Sequence, residues 1–421
     1  MGDKAGTHAP PDRQAGFTMV TPENKLRRAL NVPLLTLYGL GVTVGAGIYV
    51  LVGATAAEAG VFAPVSFVVA AVVVAFTAFS YAELSTRYPV SAGEAAYVEA
   101  GFSSASLATV VGLAVVLSGL VSAAAVSLGA ASYLHGLTGA PTEGLTVAVV
   151  ALMAVIALWG ITQSVTVAAV ITVIEVSGLL MVMLWGFVFS DPSGVTLPEI
   201  IPPLTGPHWV GIGTASLLAF FAFVGFEDMA NVAEEVKDPL HTMPRAILWT
   251  LVLATVLYIG TTTAVLMAVP LETLSASAAP LLLVFADAPA PLQQGFSLVA
   301  IVATVNGVLI QMIMASRVLY GLADRGHLPK PLAYVSPKTQ TPVVATLVVG
   351  LTILLLALTF PIDALAERTS QIVLFVFVLV NLALIRIKLA GAPADQHFRV
   401  PMAVPVLGVG TSLLLLATGL L

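Results

Sequence analysis

Apolar stretches about as long as a bilayer is thick recur along the whole chain, and that recurrence limits the fold more than any other feature. A hydrocarbon core about 30 Å thick takes about 20 apolar residues of helix. The stretches fall at 32–57, 62–83, 105–136, 144–160, 164–189, 209–233, 245–269, 294–323, 342–360, 370–389 and 401–421. Barrel strands would alternate polar and apolar residues, and runs such as Phe67-Val68-Val69-Ala70-Ala71-Val72-Val73-Val74 do not. Only 9% of the 421 residues are charged and 58% are hydrophobic, against about 25% charged in soluble domains. A soluble core that large would still need a charged surface; lipid removes the need. The expected class is an all-α integral membrane protein with about eleven spans in the lipid bilayer.

The positive-inside rule orients the spans. With the N-terminus in the cytoplasm, the tail carries Lys4, Arg13, Lys25, Arg27 and Arg28. The inner loops then carry Arg87, Lys237, Arg245, Arg317, Arg325, Lys330, Lys338, Arg386, Lys388 and Arg399. Arg368 alone lies outside, so fifteen of sixteen basic residues face inward. Trp159, Trp185, Trp209 and Trp249 fall near span ends, as interfacial anchors do. Residues 1–30 read as a polar cytoplasmic tail with no signal-peptide pattern, and Leu421 lies outside. The expected location is the cell membrane.

Several chemistries are absent. There is no cysteine, hence no disulfide, thiolate metal site or cysteine nucleophile. No histidine or carboxylate grouping has metal-ligand spacing, and no G-x-x-x-x-G-K-[ST] phosphate loop is present. No basic patch suggests nucleic acid, and no acid–nucleophile arrangement sits at membrane depth. Neither a cofactor nor an enzymatic reaction is expected.

Two spans carry interruptions. The first contains Val44-Gly45-Ala46-Gly47-Ile48 near its middle. Glycine admits non-helical angles, and a helix broken in lipid must turn its freed N–H groups toward a cavity. Such N–H groups suit a carboxylate; the competing reading is that small residues let helices pack closely. In the sixth span, Phe220-Phe221-Ala222-Phe223-Val224 meets Gly225 and then Glu227-Asp228 before the span should end. Two interruptions five spans apart are what inverted repeats with paired discontinuous helices give, substrate lying between them at mid-membrane. The repeats would be 32–189 and 209–389, within a core of 31–400, with 401–421 an added helix.

The motifs, taken together, resemble a known family. Gly45-Ala46-Gly47-Ile48-Tyr49 is similar to the first-helix motif of the amino acid–polyamine–organocation superfamily. Phe220 to Glu227, Glu234-Glu235-Val236-Lys237-Asp238-Pro239 and Met243-Pro244-Arg245 resemble its sixth-helix signature. Tyr81-Ala82-Glu83-Leu84 with Pro89 resembles its second-helix exit, and Ala315 to Tyr320 with Asp324 to Pro329 its eighth-helix end. The resemblance implies a leucine-transporter-type 5+5 fold and amino acid transport. It implies that N–H groups around Val44, Gly45, Ala46, Gly47 and Ile48 take the substrate carboxylate. Carbonyls of Phe221, Ala222 and Val224, beside Gly225, would take the amino group, with Phe221 as a gate. The chain departs from the pattern in having eleven spans where many members have twelve, and in a diluted glycine stretch, Ser91-Ala92-Gly93-Glu94-Ala95-Ala96-Tyr97.

Glu175 stands in the middle of the fifth span, where proton-coupled members often carry lysine. A buried acid there costs on the order of 2.5–3.5 kcal/mol on insertion scales. Three roles stand open: a proton carrier that couples transport, a sodium ligand, or a structural hydrogen-bond partner. Glu227 either links substrate binding to closure or, with Asp228, caps the inner half-helix. Asn306, Gln311 and Ser316, and Ser118 with Ser122, are read first as interhelical hydrogen-bond formers, with substrate contact as the alternative. The sequence reading is a secondary amino acid transporter, proton symporter or exchanger; sodium symport and a non-transporting sensor are the alternatives.

Overall fold

The computed structural model describes residues 28, 30–44, 47–90, 93–159, 165–190, 195–204, 206–277, 279–324, 326–336, 341–391 and 397–419. Gly45, Ala46 and most of the N-terminal tail lie outside the described residues. The first seven α-helices are α1 (Val32–Val44), α2 (Gly47–Ala59), α3 (Ala63–Arg87), α4 (Gly93–Phe102), α5 (Ala105–Thr138), α6 (Thr142–Trp159) and α7 (Val165–Val188). The next seven are α8 (His208–Phe221), α9 (Pro239–Ala268), α10 (Leu271–Ser275), α11 (Ala290–Asp324), α12 (Val343–Thr359), α13 (Ile362–Leu389) and α14 (Ala403–Thr418). The eleven anticipated spans are all present, the first as α1 with α2 and the sixth as α8 followed by a 3-10 segment, Phe226–Glu235. The short helices α4 and α10 occupy what the sequence reading left as loops.

Local chemistry sets the ends of the longest helices. The Ser104 side chain accepts the Leu107 N–H at the start of α5 (3.3 Å), occupying a donor that a helix N-terminus would otherwise leave free. Gly139, at φ +68°, ends the same helix in the left-handed region. The 34 residues between span about 51 Å at 1.5 Å per residue, long enough to cross a bilayer at a tilt. Leu351 and Leu355 on α12, and Leu184 on α7, are more than half exposed in mid-helix. Such a surface is at rest only against lipid.

The packing carries the inverted-repeat symmetry of a leucine-transporter-type fold. Exchanging each helix for its counterpart five spans later maps one contact onto another. The first span meets the fifth through α1 and α7, as the sixth meets the tenth through α8 and α13. The third span meets the tenth through α5 and α13, as the eighth meets the fifth through α11 and α7. Self-paired contacts lie on the axis: α3 with α9, α5 with α11, and α6 with α12. The interrupted spans also meet each other, α2 against α8 and α1 against the 3-10 segment.

At the end of the bundle where α3 and α13 finish, a buried ion cluster ties the core to the chain entering α14. The Glu83 side chain is fully buried and lies 2.7 Å from Arg87 and 2.6 Å from Lys388. It also accepts the Val400 N–H (2.8 Å). Removing one partner of a buried ion pair strands the remaining charge, at about 3–5 kcal/mol. Glu83→Ala should therefore lower the thermal unfolding midpoint in detergent, and more than Glu83→Gln, which keeps acceptance from Val400.

Candidate functional site

The first interruption is bounded by Val44, the last residue of α1, and Gly47, the first of α2. Gly45 and Ala46, expected to meet a carboxylate, lie outside the described residues. In the sixth span, α8 stops at Phe221 and the chain tightens into i→i+3 bonds. Ala222, Phe223 and Val224 donate their N–H groups to the carbonyls of Ala219, Phe220 and Phe221. Gly225 then takes φ +118°, which L side chains rarely adopt. Beyond it the chain runs on as a 3-10 helix of ten residues, well past the usual three or four.

The two interruptions touch. A Cβ on Gly47 would collide with the main chain of Ala222, and one on Gly225 would sit 3.0 Å from the Val42 carbonyl oxygen. Both glycines are therefore needed for close approach of backbone to backbone. Tyr258 on α9 spans the junction: its hydroxyl lies 2.9 Å from the Thr43 carbonyl and 2.6 Å from that of Ala222. Each is a carbonyl near a helix end. Tyr258 thus holds both broken spans with one buried phenol. Tyr133 on α5 adds a second tie, donating to the Tyr49 carbonyl just past the first interruption (2.6 Å).

Two narrow cavities open from this junction. The first is lined by Val42, Thr43, Gly47, Ser122, Val126, Phe221, Val224, Gly307, Ile310 and Gln311. It gathers five of the residues singled out from sequence, Gly47, Phe221, Val224, Ser122 and Gln311, around one space; Ile48 and Gly225 are also buried. Thr43 Oγ1 and Gln311 Oε1 are buried without a hydrogen-bond partner among the described residues. The second cavity shares Val224 and Gln311 with the first and is also lined by Glu94, Ser118, Glu227, Asp228, Val115, Met314 and Phe377.

Glu227 accepts the Gly225 N–H (2.9 Å) at the break, and it also faces the second cavity. Glu94, on α4, lies 3.4 Å from the Tyr81 hydroxyl. Burial pushes its carboxyl up to about 7, against the pull of its hydrogen bonds. Glu175 sits elsewhere, where α7 passes α1 and α11. Its Oε1 accepts from Asn306 Nδ2 (3.2 Å), while Oε2 is buried without a partner among the described residues. Tyr49 donates to its main-chain carbonyl (2.6 Å). Of the polar residues read as interhelical hydrogen-bond formers, Asn306 crosses to another helix, whereas Ser118 and Ser316 bond to their own.

Sequence reasoning missed Tyr258, Thr43 and Glu94. Tyr258 looks like any aromatic in an apolar run, and only the fold puts its hydroxyl between two carbonyls 215 and 36 residues away. Glu94 stood in the diluted glycine stretch, with no sign that it would be buried.

Comparison with known proteins places this arrangement. The model of the amino acid permease family matches residues 30–421. The branched-chain amino acid permease BcaP of Bacillus subtilis is 30% identical over 91% of this chain and 86% of its own length. The mitochondrial cationic amino acid transporter 3 of Arabidopsis thaliana is 28% identical over 88% of this chain, which spans 64% of that longer protein. Among solved structures, the manganese transporter of Eremococcus coleocola has the same fold. It superposes at a TM-score of 0.63 over 94% of this chain and 89% of its own, at 16% identity.

Removing the Tyr258 hydroxyl takes away the single donor that the Thr43 and Ala222 carbonyls share, which costs about 1–3 kcal/mol. Tyr258→Phe should lower thermal stability by that amount, and Gly47→Ala should separate the two interruptions and abolish ligand-induced thermal stabilisation.

Proposed function

The chain belongs to the amino acid permease family, and on that premise we propose that it is a secondary transporter carrying amino acids across the cytoplasmic membrane by alternating access, with protons as the driving ion. The observation that carries this reading is the contact of two interrupted spans at Gly47 and Ala222, bridged by Tyr258. An amino acid is a zwitterion. Its carboxylate suits the N–H groups at the start of α2, including Gly47 and Ile48, where a helix N-terminus carries partial positive charge. Its ammonium suits the carbonyls of Phe221, Ala222 and Val224 at the end of α8, where the sign is reversed.

Those carbonyls keep a lone pair for this role. The Phe221 carbonyl accepts one N–H, from Val224, and that of Ala222 accepts from Tyr258; each carbonyl oxygen has two lone pairs. Thr43 and Gln311 supply unpartnered polar atoms in the same wall. Phe221, buried in that wall, is the gate: admitting a substrate to so narrow a space requires the walls to part. The symmetry of the packing makes rocking of one bundle against the other the natural motion.

Glu175 is the coupling residue in this reading. One oxygen is held by Asn306 and the other has no partner among the described residues, so a proton can reside on the carboxyl without breaking a bond seen there. Neutral Glu175 lets α1, α7 and α11 close together; ionised Glu175 favours the state in which water reaches it, because a charge loses more on burial than a neutral acid. A cytoplasmic N-terminus is supported by the positive-inside rule, because that orientation puts fifteen of the sixteen basic residues on the inner side.

Uptake by purified protein in liposomes checks both parts. A pH gradient should drive uphill accumulation in the unaltered protein. Glu175→Gln should abolish that accumulation and keep counterflow exchange, because the substrate site is separate; uphill uptake in the mutant that persists would reject the proton role. A melting screen of the twenty amino acids should raise the midpoint with substrates alone, by about 2.7 kcal/mol of stabilisation at a hundred times Kd.

A further inference from the structure

The second cavity holds more carboxyl groups than a zwitterion's two ends require. Glu94 from α4 and Glu227 and Asp228 from the 3-10 segment all face it, each buried. Its lining contains no Lys, Arg or His. Buried carboxylates are retained where something of opposite charge meets them, and among the described residues nothing in this lining does. Gln311, 8% exposed, is the independent sign of a ligand: it lines both cavities, and its Oε1 has no hydrogen-bond partner among the described residues.

A metal ion fits poorly. Among the described residues no three acids or histidines lie close enough together to hold one. The three carboxyl groups come from two elements, α4 and the 3-10 segment, and line one space. That arrangement suits an organic cation with several N–H donors, each pointing to a different acceptor.

The spacing of the cavities identifies what could bring such a cation. On α5, Ser122 lines the first cavity and Ser118 the second. Four residues are about one helical turn, so the second cavity begins about 5.4 Å from the first. On α11 the same step runs from Gly307 and Ile310 to Met314, with Gln311 between. A substrate held by its α-carboxyl and α-amino groups at the first cavity would span that step with the methylene stem of a long side chain. Val115, Val224 and Phe377 offer apolar surface to such a stem.

We propose that the second cavity seats the charged end of the substrate's side chain, an ammonium or guanidinium group, so that the protein carries basic amino acids. The proposal rests on the reading of the first cavity as an amino acid site. Glu227 occupies a double position in it: through the Gly225 N–H it reports on the break, and through the cavity it meets the side chain. Neutral side chains of the same length would leave three carboxyl groups facing methyl or amide groups.

Neutral near-isosteres isolate the charge. Binding to the purified full chain is measured by isotope displacement for arginine against citrulline, lysine against norleucine, and leucine. The expected result is a preference of about tenfold or more, or about 1.4 kcal/mol, for arginine over citrulline and for lysine over norleucine. Asp228→Asn and Glu227→Gln should each bring those ratios towards one; the comparison in the unaltered protein stands on its own if either variant fails to fold. Citrulline and norleucine binding as tightly as their charged counterparts would overturn the side-chain site and leave the amino acid site intact. Binding of none of the five would overturn both.

Discussion

Every main-chain polar group in a bilayer must find a partner within the protein, and this fold breaks that economy at two places that then complete each other. Interrupting one span would leave its freed carbonyls and N–H groups in hydrocarbon. Interrupting two, and pressing them together, lets a single hydroxyl serve both. Tyr258 stands within hydrogen-bond distance of Thr43 in one span and Ala222 in the other, and Gly47 and Gly225 remove the side chains that would hold the backbones apart. What remains unpaired at the junction is available to a ligand with one negative and one positive end.

The buried acids follow from the same frame but serve different ends. Glu175 has an amide on one oxygen and, among the described residues, no hydrogen-bond partner on the other. Glu83 is tied to Arg87, Lys388 and the Val400 N–H, and its charge is committed to holding helix ends together. Glu94, Glu227 and Asp228 share one space whose lining holds no base. Five acids in apolar surroundings thus divide by what faces them, not by residue type.

The relation between sequence and site is uneven for a physical reason. Gly225 followed by two acids inside an apolar run marks a break whatever surrounds it, because glycine's backbone freedom and the aversion of charge to lipid are local properties. Asn306 and Gln311 lie five residues apart on one helix and look alike in sequence. One bonds Glu175 and the other looks into two cavities, a difference of helical facing fixed by α5 and α7. Tyr258 and Glu94 gave no signal because their meaning lies wholly in what stands opposite.

The amino-acid sequence by itself determined the membrane class, the eleven spans, the two interruptions and the family motifs, since each depends on hydropathy, glycine or short-range pattern within one segment. Tertiary structure alone decided that the interruptions touch, that a tyrosine from a third span clasps them, and that an acid from the chain between two spans joins two others around one cavity. Those are meetings of groups tens to hundreds of residues apart, and only the packing of whole helices brings them together.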